Sequence, residues 1–271
     1  ALSGNSGGSA GAHLHFEIRN TQNEHPLNPL GVGFKVSDNI APTVKKIKIY
    51  AFDSTYINQS NSSKIFKIVK KDTIYKLDNT PTIKGKFAIG IHTYDKLNDS
   101  YNKNGVYSIK LIADDVEMYS FKVNELDFST SRYINAHIDY KEKKISKTKF
   151  HRCYKLPHNK LANYNTLINN GILEFNDDSI HHITLIVTDF HNNKSTIDFN
   201  IQASTAKTTI RATDNIAAPI SDKFSFFKPN IFKTENFEVH MEKYSLYEPL
   251  DFQYVEQDSI KGIYGMLHHC H

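Results

Sequence analysis

The sequence predicts an all-β protein of more than one domain. Short runs of β-branched and aromatic residues recur along the chain, and Asn, Asp and Gly pairs separate them, which is typical of strands joined by tight turns. The chain has 271 residues, 15 Tyr and 17 Phe, and its hydrophobic content of 39% is that of a globular protein. This length is comfortable for two domains.

The N-terminal stretch, residues 1–35, is glycine-rich and then carries one strand pattern. In the segment His13–Arg19, polar and apolar residues alternate, as the two faces of a strand require. Pro26 and Pro29 end this stretch, and the residues 37–42 (SDNIAP) read as a linker. We therefore expect residues 1–35 to be the terminal strands of a β-domain that this chain does not complete.

Residues 41–203 have the pattern of a β-sandwich, with one closing hairpin over 183–199. A short helix is expected only at 157–169. After a first strand from Thr43, the predicted strands are 65–69, 73–77, 87–94, 106–112, 118–123, 134–140, 171–175, 183–188 and 196–201.

The residues 203–219 are polar and read as a second linker, and 220–271 as part of a further β-domain. Strands are expected there around 224–227, 237–240 and 252–255. About 50 residues are few for an independent core, so we expect this domain to be incomplete.

Composition excludes several classes of function. The net charge is only +4 and the basic residues are dispersed, which argues against a nucleic-acid partner. No run of about 18 apolar residues is present, so no membrane span is expected in this chain. The two cysteines, Cys153 and Cys270, form no disulfide framework or redox motif, and whether they pair stays open.

The strongest chemical signal is the pair His13 and His15. On a strand their imidazoles share one face with Glu17 and Arg19, about 7 Å apart at a rise of about 3.3 Å per residue. One imidazole can then bind a metal ion while the other faces a water held by that ion. The preceding loop, 4–11, holds four glycines, which let a backbone approach a ligand closely.

The segment Gly4–Arg19 (GNSGGSAGAHLHFEIR) resembles the G-x-T/S-G-x-S-x-G-x-H-L-H-F-E signature of the lysostaphin-like (M23, LytM-type) zinc metallopeptidases. Asn28-Pro29-Leu30 is similar to the D/N-P-L that closes that domain. Ala12 stands where the family usually has Pro. The resemblance implies that His15 binds zinc, that His13 is catalytic, and that 1–35 ends a peptidase domain. More loosely, 41–203 resembles the Ig-like sandwich that follows it in some members.

That family takes its other two zinc ligands from an upstream H-x-x-x-D segment. None of the 14 histidines here is followed by Asp four residues on. A catalytic zinc needs three protein ligands, so His15 alone does not make the site. We therefore expect a part of a zinc metalloendopeptidase that cuts peptidoglycan peptides, inactive by itself and located in the periplasm, the cell envelope or outside the cell.

Other candidate sites have simpler explanations. The glycine loop lacks the Walker lysine and the following helix of a phosphate site. Glu17 is expected to face solvent or to orient a histidine. Adjacent ligands in the terminal segment 268–271 (HHCH) rarely converge on one ion. The remaining residues are expected to be structural or to cap turns: His137, His151, His158, His181, His182, Asp95, Asp99, Asp114 and Asp115. A calcium site in a sandwich loop stays possible, although no known calcium loop has this spacing.

Two further functional classes stay open. A degenerate peptidase domain joined to a sandwich would be an interaction module that regulates another cell-wall hydrolase or binds envelope proteins. A stand-alone β-sandwich of the adhesin type is the third. The sequence upstream of Ala1 discriminates among them: an intact H-x-x-x-D favours the enzyme, its replacement the regulator, and a start codon with a signal peptide the adhesin.

Overall fold

The computed structural model describes residues 11, 16–52, 60–157, 159–205, 220–225, 227–246, 250–257 and 267–270. It has two compact units, Ala1–Ala206 and Lys207–His271. Strands dominate, so the all-β class is confirmed. The finer division into 1–35, 41–203 and 220–271 stays a prediction. The strands are β1 (Thr43–Phe52), β2 (Ser60–Lys71), β3 (Ile74–Leu77), β4 (Thr82–Lys84), β5 (Lys86–Tyr94), β6 (Ser108–Ala113), β7 (Val116–Lys122), β8 (His151–Arg152), β9 (Tyr164–Leu167), β10 (Leu173–Glu174), β11 (Ile180–Thr188), β12 (Lys194–Ser204), β13 (Ile220–Phe224), β14 (Asn230–Lys233), β15 (Glu238–Met241), β16 (Leu250–Gln257) and β17 (Leu267–Cys270).

Two predicted elements are wrong. The residues 134–140 form not a strand but α1 (Ile134–His137) and the start of α2 (Tyr140–Ser146). Most of the described part of 157–169 is not helical. Strand β9 lies within this stretch, and only its last two residues belong to a 3-10 helix, Ile168–Gly171. Two further 3-10 helices cover Pro29–Gly31 and Ser131–Tyr133.

The first unit is one curled mixed sheet. Its strands run in the order β10–β5–β1–β2–β3–β12–β11–β6–β7–β9, with β4 beside β12 and β8 beside β5. Most pairs are antiparallel, and β12 runs parallel to β3 and β4. Strand β2 pairs with β1 through its first part and with β3 through its last four residues, so it carries the chain from one half of the sheet to the other.

One hydrophobic cluster joins the two halves of the curled sheet. It takes Ile47 and Ile89 from β1 and β5, and Leu111, Leu185 and Ile197 from β6, β11 and β12, all fully buried. In β12 every second residue is buried, as expected for a strand with one face on the core. The predicted hairpin of β11 and β12 is confirmed by nine consecutive antiparallel pairs.

The outer face of β1 and β5 is buried as well, because residues 134–156 cover it. Lys48 on that face is 6% exposed and its ammonium contacts Asp139 at 2.9 Å and Glu142 at 2.8 Å. Asp139 also accepts a hydrogen bond from the Tyr50 hydroxyl at 2.8 Å, and its other oxygen caps α2 by accepting the Glu142 amide at 3.1 Å. The helical segment is therefore fixed to the sheet by a buried ionic network.

The second unit has its own small core. Strands β13, β16 and β17 form an antiparallel sheet, and β14 with β15 forms a hairpin. Phe224, Phe232, Phe252 and Tyr254 are buried together, and the rings of Phe224 and Phe252 stack with centroids 4.3 Å apart.

Candidate functional site

The predicted catalytic His13 and zinc ligand His15 lie outside the described residues. The description resumes at Phe16. The Arg19 Nε donates a hydrogen bond to the Glu17 Oε1 at 2.8 Å, so these two side chains lie on the same side of the chain. Residues 16–18 belong to no strand, and Arg19 makes only an isolated bridge, to Pro26.

The chain after the motif folds back and joins the large sheet. The Leu27 amide donates to the Ile18 carbonyl at 2.8 Å. The Leu126 amide donates to the Pro26 carbonyl at 2.9 Å, and the Asn28 amide to the Asn124 carbonyl at 2.8 Å. These backbone hydrogen bonds connect the end of the motif to the residues directly after β7.

Asn28-Pro29-Leu30 has a definite local role. The Asn28 Oδ1 accepts the Leu30 amide at 3.1 Å and caps the 3-10 helix that begins at Pro29. Pro at a first helical position loses no hydrogen bond, and Asn is a preferred cap. In that helix, a Cβ on Gly31 would lie 3.3 Å from the Phe190 ring, so the turn lies directly against the β11–β12 loop.

Phe16 does not enter a core in the described structure. The sequence predicts that Leu14, Phe16 and Ile18 form a buried apolar face, but the Phe16 side chain is 61% exposed. It makes an edge contact with Phe34, itself 48% exposed, at a centroid distance of 5.4 Å. Leu14 lies outside the described residues.

Among the described residues, one group of His, Cys, Asp and Glu side chains has the spacing of a metal site: Asp38, Asp189 and His191, whose ligand atoms lie within 4.8 Å of one another. Zinc bound at His15 would need two more protein ligands besides that imidazole.

The sequence did not predict the group formed by Asp38, Asp189 and His191. Asp38 belongs to the predicted linker, and Asp189 and His191 to the loop of a hairpin. Asp95, which follows β5, was assigned to a turn, but it is 5% exposed and interacts electrostatically with Asp38 and Asp189. The three segments are far apart in the chain, so the spacing of their residues in the sequence could not join them.

The fully buried His137 and the half-buried His151 are paired. The His137 Nε2 and the His151 Nδ1 are hydrogen-bonded at 3.1 Å, and the Tyr164 hydroxyl lies 3.3 Å from the His137 Nδ1. Burial, followed by the charge of neighbouring His151, holds the pKa of His137 well below its usual value. Burial likewise lowers the pKa of His151 to about 4. Both imidazoles are therefore neutral at pH 7, which fits a structural role.

His181 and His182 open β11 and face opposite ways, as predicted. The His181 ring stacks on Phe175 and contacts Asp114 at 2.5 Å and Asp177 at 2.9 Å. The His182 ring is half exposed and contacts Asp198. Carboxylates thus hold both rings, which fits the structural role expected for them. Predictions for His158 and for the side chains of the segment 268–271 fall outside the described residues.

Comparison of the chain with family models, curated proteins and solved structures finds no match. Within the described part of the chain, the helices are all too short and too polar to cross a membrane.

Proposed function

We propose that this chain is part of a zinc metalloendopeptidase that cleaves peptide bonds in peptidoglycan. The observation that carries the proposal is the sequence Gly4–Arg19 together with Asn28-Pro29-Leu30. In this proposal His15 is a zinc ligand and His13 a catalytic residue beside it. The substrate class is the cross-bridge or stem peptide, and the protein works in the periplasm, the cell envelope or outside the cell.

Two features of the described residues support this proposal. The Glu17 and Arg19 side chains are hydrogen-bonded to each other, so they lie on one side of the chain. Phe16 is 61% exposed and makes an edge contact with Phe34, which is 48% exposed. An apolar surface of this kind fits a segment that packs against further strands of a peptidase domain.

The chain by itself is proposed to be inactive. One imidazole does not hold a catalytic zinc, and no histidine in the chain is followed by Asp at the fourth position. The missing ligand pair would come from an upstream segment, as the resemblance implies. Hydrolysis therefore requires residues beyond the 271 of this chain.

The test uses the uninterrupted reading frame that encodes this chain, so that any upstream segment is included. Release of new amino groups from purified peptidoglycan is measured for the wild type and for His13→Gln and His15→Gln. We expect both variants to lose at least about 100-fold in rate, as expected when a general acid–base group or a ligand is removed. The matched control is His182→Gln, a half-exposed histidine on β11, which should retain full activity. Equal activity of wild type and His15→Gln refutes the proposal.

A second candidate is a degenerate peptidase module that regulates another hydrolase or binds envelope proteins, and a replaced H-x-x-x-D pair upstream of Ala1 would favour it. The same assay separates the two. A full-length protein without hydrolysis of its own that raises the rate of a second cell-wall hydrolase supports the regulator, whereas hydrolysis that depends on His15 supports the enzyme.

A further inference from the structure

One end of the large sheet gathers buried acidic groups and one imidazole from three segments. Asp38 precedes β1, Asp95 directly follows β5, and Asp189 with His191 lies in the loop between β11 and β12. The Asp38 side chain is 0% exposed. Asp95 is 5% exposed and Asp189 is 2% exposed. Three carboxyl groups are thus removed from water within one small volume.

These groups lack the partners that buried acids normally have. Asp38 Oδ2, Asp95 Oδ1 and His191 Nδ1 are all buried, and each has no hydrogen-bond partner among the described residues. The Asp38 Oδ2 lies 3.9 Å from the His191 Nδ1, beyond hydrogen-bond distance. Buried polar atoms are nearly always satisfied, so three unsatisfied atoms at one place indicate a group that they bind.

The surrounding contacts hold the acids in position without neutralising them. The Asn193 amide group donates to Asp189 Oδ2 at 2.6 Å and to the Asp38 carbonyl at 3.0 Å. Near the same residues, the Ser195 hydroxyl donates to the Pro42 carbonyl at 2.6 Å. All of these donors are uncharged. The cluster is therefore rigid and carries negative charge, with no lysine or arginine among its described contacts.

Carboxylates buried near one another repel when they are ionised, and burial has removed their hydration. The ionised cluster is thus unfavourable without a cation. A divalent cation offsets both the repulsion and the lost hydration.

We propose that Asp38, Asp95, Asp189 and His191 bind a divalent transition-metal ion that fixes the segment before β1 to the end of the sheet. Ligand atoms about 2.1 Å from one tetrahedral ion lie about 3.4 Å apart. The Asp38, Asp189 and His191 ligand atoms lie within 4.8 Å of one another, so binding would draw them together by up to about 1.4 Å. Asp95 supplies a fourth ligand or balances the charge.

The His191 imidazole determines which metal ions fit the proposed site. Calcium and magnesium take oxygen ligands almost exclusively, whereas Zn²⁺ and Mn²⁺ accept a histidine beside carboxylates. This site is separate from His13 and His15, so the proposal does not depend on the peptidase assignment. Its role is positional: the ion would lock residues 36–42 and hence the turn at Pro29–Gly31, which already lies against Phe190.

The experiment is calorimetric titration of the metal-free chain with Zn²⁺, Mn²⁺ and Ca²⁺, together with thermal unfolding. We expect one equivalent of Zn²⁺ or Mn²⁺ to bind at this site, more tightly than Ca²⁺. At a free ion concentration about 100 times the dissociation constant, the unfolding midpoint should rise by about 5–10 °C. The variants Asp38→Asn and His191→Gln should weaken this binding at least about 10-fold.

Two controls keep the result interpretable. Asp99→Asn, at an exposed aspartate in a turn with φ of 56°, should bind as the wild type does. Without metal, Asp38→Asn should be at least as stable as the wild type, because it removes one of the repelling charges. The proposal is overturned by the absence of binding, by binding of Ca²⁺ alone, or by binding that neither Asp38→Asn nor His191→Gln weakens.

Discussion

Asp139 is the residue whose substitution tests the buried ionic network most directly. Asp139 is 3% exposed, and its carboxylate accepts hydrogen bonds from Lys48, Tyr50 and the Glu142 amide in the first turn of α2. The Arg152 guanidinium lies 3.6 Å away. Replacing Asp139 by Asn preserves the shape and the helix cap but removes the negative charge, so it isolates the electrostatic contribution.

The expected loss in the free energy of unfolding for Asp139→Asn follows from the Lys48 charge that remains buried. Breaking a buried ion pair costs about 3–5 kcal/mol, since the remaining charge has lost its partner. Lys48 retains Glu142 at 2.8 Å, which places the expected loss at the lower end, about 3 kcal/mol. Asp139→Ala also removes the helix cap and should cost about 1 kcal/mol more.

The assay is equilibrium unfolding in urea at pH 7, followed by tyrosine fluorescence and far-UV circular dichroism because the chain has no Trp. The matched control is Glu174→Gln, which removes an exposed partner of Lys86 at 3.9 Å and should cost less than about 1 kcal/mol. Adding Lys48→Met to Asp139→Asn should restore part of the lost stability. A loss below about 1 kcal/mol for Asp139→Asn, or no recovery in the double variant, would refute this reasoning.

Two further predictions concern pH and backbone geometry. The pKa of His151 falls from 6.5 in the unfolded chain to about 4 in the folded chain. Between these two pH values, only the unfolded chain takes up a proton at this residue. Lowering the pH from 7.5 to 5 should therefore reduce the free energy of unfolding by about 2 kcal/mol. His151→Gln should abolish that part of a pH series of urea curves, and an unchanged slope would contradict the assignment. Gly171→Ala should lower the free energy of unfolding by more than about 2 kcal/mol, because φ is +79° and a Cβ would lie 2.4 Å from the Cys153 carbonyl oxygen. The control Gly85→Ala, with φ of +62° and open space around the Cβ, should lower it by only about 1 kcal/mol. Equal losses in urea unfolding would exclude the steric explanation.

Much of the sheet could be predicted because alternation and turn chemistry agree locally. Apolar residues alternate over 183–187 in β11 and 197–203 in β12, and Asn192-Asn193 separates the strands, so both strands and their pairing follow from the sequence. The turn at Asp114-Asp115 is equally clear, since both residues adopt positive φ between β6 and β7.

The helical segment was missed because two patterns compete there. The alternation of Ile134, Ala136 and Ile138 imitates a strand, whereas Asp139 and Glu142 have the spacing of a helix start. The structure uses the second signal: Asp139 caps α2. We attribute the helical conformation of α1 to the packing of the segments on either side of it against the sheet. The local sequence does not encode that packing.

The stretch 157–169 failed as a helix for a different reason. The Asn159 Oδ1 accepts the Leu161 amide at 3.0 Å, and the Asn163 amide donates to the Lys122 and Glu125 carbonyls. Asparagine side chains that bind backbone in this way compete with helix hydrogen bonds. The candidate cation site could not be predicted for a third reason: its members come from the segment before β1, the end of β5 and the β11–β12 loop, which meet only in the folded sheet.

The parallel pairing of β12 with β3 has a kinetic consequence. Thr196 lies opposite Ile74, and Gln202 opposite Thr82, so each contact closes a loop of about 120 residues. Such closure is slow because the chain entropy is lost before the contact forms. A nascent chain therefore cannot complete this sheet until residue 204 has emerged. Until then β3 is paired only with β2 and β4 lacks its partner β12, the state in which a β-protein most needs a chaperone.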